Sequence, residues 1–163
     1  MSTSLAQDTA TVDDYMQWVT FRLDQEFYGV NVMQVQEVLR ISDIAPVPGA
    51  PEYVLGIINL RGNVVTVIDA RKRFNLVARE PDDATRIVVI EVNGQVIGML
   101  VDSVAEVINL RLSDIEASPN LGKDDSDQAR YIQGVFSREN DILILIDLNK
   151  LLSESELEEV TDL

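Results

Sequence analysis

Acidic residues at the ends of apolar runs are the first candidates for chemistry in this chain. Asp69, in VIDARKRF, and Asp147, in LIDLNKLL, each close such a run and open a possible helical turn. Two carboxylates can divide acid and base roles when their surroundings push their pKa values apart, and Asp69 and Asp102 are the groups left open for that role. The competing reading is structural, because an aspartate before a helical turn accepts backbone N–H groups as an N-cap. The usual catalytic partners are missing around these acids. The chain has no histidine and no cysteine, which removes the common general base near neutral pH, the commonest nitrogen ligand for transition metals, thiol catalysis and disulfides. LGKD at Leu121–Asp124 lacks both the earlier glycine and the following hydroxyl of a phosphate loop. Asp124, Asp125 and Asp127 invite a calcium reading, but counted from Asp125 the position that needs glycine is Arg130 and the one that needs a bidentate glutamate is Phe136. The residues point to no cofactor, no metal and no enzyme.

Recognition is the chemistry that remains. Arg61 sits in NLRGN, where Gly62 suits a tight turn, and its planar fork can pair with carboxylates or carbonyls of another molecule. An ordinary exposed turn arginine is the alternative. Glu37 and Glu106 lie in alternating Val/Glu settings that suit solvent-facing strand positions. The run Arg71-Lys72-Arg73 reads as a solvated helical face, or else as a dock for an acidic partner.

The elements that must position these residues are short strands. Val19, Phe21 and Leu23 alternate with polar neighbours, and Phe27 to Val32 follows a polar break, which predicts a hairpin. Asn31 to Arg40 reads as a short helical turn leading into a strand. Pro46, Pro48, Gly49 and Pro51 make a loop. Gly56 to Leu60 and Val64 to Asp69 form a second hairpin with Arg61 at its tip. A polar connection over 77–85 leads to a similar series: Ile87 to Val92, Gln95 to Asp102, Val104 to Ile108, Ile132 to Phe136 and Ile142 to Ile146, with a polar loop over 118–130. Ser153 with Glu156 resembles a capping box, so a final helix is expected over 154–160 with Leu157 and Val160 inward.

That similarity is a repeat. At an offset of 69, Gly29 matches Gly98, Val32 matches Val101, Val35 matches Val104 and Glu37 matches Glu106. At an offset of 78, Tyr53 matches Tyr131, Gly56 matches Gly134, Ile68 matches Ile146 and Asp69 matches Asp147. Offsets that grow along the chain with block order kept are the mark of a duplicated unit. Arg61 is matched by Glu139, so a charge of that sign at that position is not a requirement of the repeated frame. The reading is a mainly β fold: two five-stranded β-barrel subdomains, about 15–76 and 86–147, packed on each other, with short helices and an acidic C-terminal helix and tail over 153–163. Each half would be only marginally stable alone, so the two should share an interface.

The net charge is −15, with three acids in residues 1–14, five in 154–163 and no base in either segment. Such a chain is repelled by nucleic acid and by anionic lipid. Residues 1–14 read as a mobile lead, and without a long apolar run or a secretory signal the chain is expected in the cytoplasm.

Taken together, YGVNVMQVQEVL, IAPVPGAP, YVLGIINLRGNVVTVID, VIGMLVDSVAEVINL and YIQGVFSRENDILILID resemble the CheW family of bacterial chemotaxis coupling proteins over roughly Trp18 to Leu152. The resemblance implies two SH3-like barrels and a non-enzymatic adaptor that links the cytoplasmic tip of methyl-accepting chemoreceptors to the regulatory domain of the histidine kinase CheA, at membrane-associated receptor clusters. It implies partner-binding roles for Glu37, Arg61 and the adjoining Gly62. It further implies an apolar kinase-facing surface, assigned to Val35, Val38 and Ile58, and a receptor groove between subdomains, assigned to Ile87, Gly98, Val101 and Val104. Some of these apolar residues must also serve the core. The strand after the turn has Thr66 where the family often has proline. An adaptor of another receptor-kinase pathway, such as surface motility or second-messenger control, is the alternative.

Overall fold

The computed structural model describes residues 14–116 and 131–161. All but Asp14 of the expected mobile lead, and the expected polar loop over 118–130 with its acidic stretch, lie outside the described residues. Ten strands follow one another: β1 (Tyr15–Leu23), β2 (Glu26–Asn31), β3 (Val35–Arg40), β4 (Val54–Leu60), β5 (Asn63–Asp69), β6 (Arg86–Val92), β7 (Gln95–Val101), β8 (Ser103–Arg111), β9 (Ile132–Ser137) and β10 (Ile142–Ile146). Helix α1 (Ala70–Arg73) follows β5, and helix α2 (Glu154–Thr161) follows β10. Val32–Gln34 is a 3-10 turn capped by the Asn31 side chain, so the expected helical turn before β3 is present.

The strands form two five-stranded sheets, ordered β8-β1-β2-β10-β9 and β3-β6-β7-β5-β4. This corrects the sequential division at 15–76 and 86–147. The first sheet takes its β1–β2 hairpin from the first half and β8, β9 and β10 from the second, and the second sheet does the reverse. Replacing each strand by its repeat mate turns one order into the other, so the halves have exchanged hairpins while keeping one topology. Register agrees as well: Gly29 faces Leu145 on the parallel β2–β10 ladder as Gly98 faces Val67 on β7–β5. The local hydrophobic pattern is identical for exchanged and unexchanged arrangements, since alternation fixes which face of a strand is apolar and not which hairpin lies beside it.

Each sheet closes on itself. Ala45, beyond β3, exchanges two 2.9 Å backbone bonds with Ile57 on β4, and Glu116, beyond β8, exchanges two 2.8 Å bonds with Val135 on β9. Gly56 belongs to the first closure: a Cβ there would stand 2.2 Å from the Ala45 carbonyl oxygen, so only glycine admits the bridge.

Alternation divides each strand between two cores. On β6, Ile87 and Val89 fill one barrel with Ile58, Val65, Val67 and Leu100, while Val88, Ile90 and Val92 join a larger core shared by both barrels. Trp18, Leu110, Leu143 and Leu145 fill the other barrel. Within the shared core, Phe21, Tyr28, Phe74 and Tyr131 stand ring to ring at 5.6, 5.2 and 5.0 Å. Both aspartates act as caps: Asp69 accepts from Arg71 N at 3.0 Å and Asp147 from Asn149 N at 3.1 Å. The Ser153/Glu156 capping box is formed, with bonds of 2.8 and 3.1 Å, and Leu157 and Val160 are buried.

Candidate partner-binding site

The tip of the β4–β5 hairpin presents Arg61. A two-residue turn joins Leu60 to Asn63, with φ of 52° at Arg61 and 89° at Gly62. Positive φ at both central positions matches the twist of the flanking strands, and Gly62 supplies it without strain. The Asn59 side-chain oxygen accepts from Gly62 N at 2.9 Å and fixes the tip. From there the Arg61 guanidinium makes two 2.7 Å bonds to both carboxylate oxygens of Glu37 on β3. Strands β3 and β4 are the two edges of their sheet, so this fork spans the seam where the barrel closes. Hydrogen bonding from Arg61, with its positive charge, holds the Glu37 carboxyl below the ordinary glutamate value, and the same bonds raise the guanidinium pKa.

The Arg61 side chain is still 69% exposed. Beside it lies an open depression of about 320 Å³ lined by Gln36, Leu60, Val64 and Val96 among others. Val64 is 66% exposed and Val96 37%. A rigid, solvent-facing arginine fork suits protein docking, because arginine is enriched among hot-spot residues, and the exposed valines beside it add apolar surface. Val38, 40% exposed, points out of the alternate face of β3 with Gln36 and Arg40.

The second barrel carries a variant of this seam. Glu106 on β8 stands 3.8 Å from Arg138, which also bonds Asp141 at 2.6 Å. The repeat mate of Arg61 is Glu139, as the sequence shows, but the neighbouring Arg138 provides the cation. A seam arginine is therefore part of the shared frame, and the contrast between halves lies in geometry and surroundings. The guanidinium of Arg138 stands 5.0 Å from the centre of the Phe27 ring and that of Arg22 at 5.3 Å. Glu106 is exposed, as expected of it.

Residues 17–156 match the CheW-like domain family. The chain belongs to the CheW family. It is 34% identical to the chemotaxis protein CheW of Treponema pallidum (strain Nichols) over 94% of this chain and 92% of that one. It is 36% identical to the chemotaxis protein CheW of Bacillus subtilis (strain 168), covering 90% and 92%. The crystal structure of the scaffolding protein TtCheW from Thermoanaerobacter tengcongensis is similar with a TM-score of 0.76 at 34% identity, covering 86% of this chain and 94% of that chain. CheW proteins are non-enzymatic chemotaxis scaffolds. No described helix is long and apolar enough to cross a membrane.

Among the residues singled out from sequence, Glu37, Arg61 and Gly62 come together at the CheW seam, with Val38 exposed nearby. Val35 and Val104 are half-buried against the shared core. Four assignments are corrected. Ile58, 4% exposed, fills a barrel interior, and Ile87 and Val101 are equally enclosed. Gly98 is buried too, and a Cβ there would stand 2.9 Å from Ile87 Cγ2. The reason is topological: the interior of a small barrel is filled by side chains, which takes up Ile58 and Ile87, while Val101 at the end of β7 packs into the core shared by both barrels. Gln36, Val64 and Val96 were missed, although Val64 beside the turn and Val96 after Asn93-Gly94 are apolar residues at hairpin ends, where exposure is common.

The basic run is also corrected. Instead of a solvated face, Arg71 is buried: its Nε and Nη2 reach Asp102 at 2.8 and 2.7 Å, Nη2 also pairs with Asp24, and Nη1 donates to the Val77 carbonyl at 2.6 Å. Burial alone would raise the Asp102 pKa, but bonds from Arg71 and the Asp24 amide, with the charges of Arg71 and Arg79, leave it below the ordinary aspartate value. Burial raises the Asp69 pKa against its capping bonds. The crevice beside Asp69 and Asp102 holds only about 10 Å³, less than a substrate needs. Among the described residues no cluster of acids is placed to hold a metal ion.

Proposed function

We propose that this CheW-family protein couples the cytoplasmic tip of methyl-accepting chemoreceptors to the regulatory domain of the histidine kinase CheA, in the cytoplasm at receptor clusters, and that the Arg61–Glu37 seam is one of its docking points. The observation that carries this reading is the exposed Arg61 fork beside Val64 and Val96. The family membership supports a partner in chemotaxis signalling, and the exposure of the fork supports a contact at this seam. An adaptor transmits a signal only if its contacts differ between receptor states, so the seam must be bonded differently when the kinase is on and off. Exposure allows that: a partner carboxylate can displace Glu37 from a guanidinium that is mostly in water.

The test is a charge exchange. Arg61→Glu and Glu37→Arg are made singly and together, and co-sedimentation with chemoreceptor membranes and kinase is measured beside kinase stimulation. The single variants should lose coupling. The double variant restores the pair within the chain but reverses the charge met by a partner, so it should remain uncoupled while melting like the wild type. Recovered coupling in the double variant would show that the pair serves only to close the barrel.

A further inference from the structure

Helix α2 is fastened from outside to the barrel that contains β5. Glu156 pairs with Arg73 through two 3.0 Å bonds, Arg73 also donates to the Leu151 carbonyl at 2.9 Å, and Leu157 and Val160 are buried in the shared core. At its far end the Thr66 hydroxyl on β5 donates to the Val160 carbonyl at 2.9 Å. The last carbonyls of a helix lack partners inside it, so Thr66 caps α2 from the sheet. The repeat mate of Thr66 is Ile144, partly buried and apolar. A hydroxyl in this frame is thus peculiar to the copy that seats the helix.

Three features make this seat exchangeable. Eight residues are too few to sustain an isolated helix in water, so α2 exists only while it is docked. Its last turn carries no basic residue, and Glu158 and Glu159 stand toward the end where the macrodipole disfavours acids. The Tyr53 hydroxyl, whose ring lies 5.1 Å from the Arg73 guanidinium and which feels the charges of Glu156 and Glu159, is buried without a hydrogen-bond partner among the described residues. A buried hydroxyl left unbonded is unfavourable, so α2 fills the seat incompletely.

We propose that the Thr66–Arg73–Tyr53 seat is a docking site for an acidic amphipathic helix of a partner protein, and that α2 is a built-in competitor for it. The occupant's chemistry is read from the helix already there: a carboxylate for the Arg73 fork, two aliphatic side chains three residues apart on one face, and a terminal carbonyl for Thr66. A partner that adds a hydrogen-bonding group for the Tyr53 hydroxyl would bind the seat better than α2 does. A tethered helix acts at an effective concentration on the order of mM, which excludes weak ligands and admits strong ones.

Native-state hydrogen exchange on the unaltered chain is the first test. Amides of α2 should be at least about tenfold less protected than those of Ile97–Leu100 in β7, because they open without global unfolding. Equal protection overturns the proposal. In the second test, the full chain carrying Glu156→Lys and Val160→Asp, with the seat intact, is titrated with a labelled peptide of residues 153–161. Tighter binding than by wild type, lost again on adding Thr66→Val, supports the seat. Binding no tighter than to a scrambled peptide, in a variant with native near-UV circular dichroism, overturns it. If that variant fails to fold, the exchange measurement decides alone.

Discussion

Replacing Arg71 by methionine should remove about 3 kcal/mol of stability while leaving the exposed seam at Arg61 untouched. The Arg71 side chain is 6% exposed and that of Asp102 13%, and their two bonds of 2.8 and 2.7 Å join α1 to the Val101–Ser103 crossing between sheets. Breaking a buried pair by deleting one partner costs about 3–5 kcal/mol, because the other charge stays behind unmatched. The lower end applies here: Asp102 keeps Arg79 at 3.2 Å and the Asp24 amide at 2.8 Å, and Asp24 is half exposed. With a urea m-value of about 2 kcal/mol/M the unfolding midpoint falls by about 1.5 M. Trp18, the single tryptophan and fully buried, reports the transition by fluorescence. The pH dependence has a definite sign. Asp102 is held below its ordinary value in the fold, so its contribution is present above the unfolded pKa of about 3.9 and lost as pH falls through the folded value. The gap between wild type and Arg71→Met should therefore narrow below about pH 4. A loss under about 1 kcal/mol at pH 7, or a gap as wide at pH 3, would refute the assignment of Arg71 and Asp102 as a buried ionic joint.

Two further outcomes follow from single positions. Gly56→Ala should destabilise by about 3 kcal/mol or more, since its Cβ meets the Ala45 carbonyl at 2.2 Å, and thermal melting should show a larger loss than for Gly49→Ala, where nothing lies within 4 Å of the new methyl. Tyr28, its pKa raised to about 12 chiefly by burial and then by Glu26 and Asp24, should ionise well above a free phenol, read as the phenolate absorbance that is lost in Tyr28→Phe. The unfolded phenol titrates near 10, so stability should hold to about pH 10 and fall by about 3 kcal/mol as pH rises through the folded value.

Local structure was legible in this sequence because local rules decide it. The Arg61-Gly62 turn, the aspartate caps, the capping box and the 3-10 turn before β3 each depend on a few neighbouring residues. Pairing across the chain was not. Glu37 and Arg61 were each singled out, yet nothing in VQEV or NLRG states that the two edges of one sheet meet there. Arg71 reads as a surface residue because Lys72 and Arg73 follow it, and its partners Asp24 and Asp102 lie 47 and 31 residues away. The burial of Ile58 and Ile87 was not legible because alternation shows that one face of β4 and of β6 is apolar, and not that the two faces meet inside one barrel.

The hairpin exchange decides how the two barrels are joined. Had each half formed its own barrel, the two would meet only through side chains. Here every barrel contains strands of both halves, and the chain passes between sheets through the Val32–Gln34 turn and through Asp102. These crossings are repeat mates with unlike chemistry. At one, Gln34 and Asn93 bond Asn149 through neutral amides at 3.0 to 3.4 Å. At the other, the enclosed Arg71–Asp102 pair is joined by the half-exposed Asp24 and Arg79. Neutral exposed bonds exchange readily with water, whereas separating a buried charge pair is costly. The charged crossing should therefore hold the two sheets together more firmly than the neutral one.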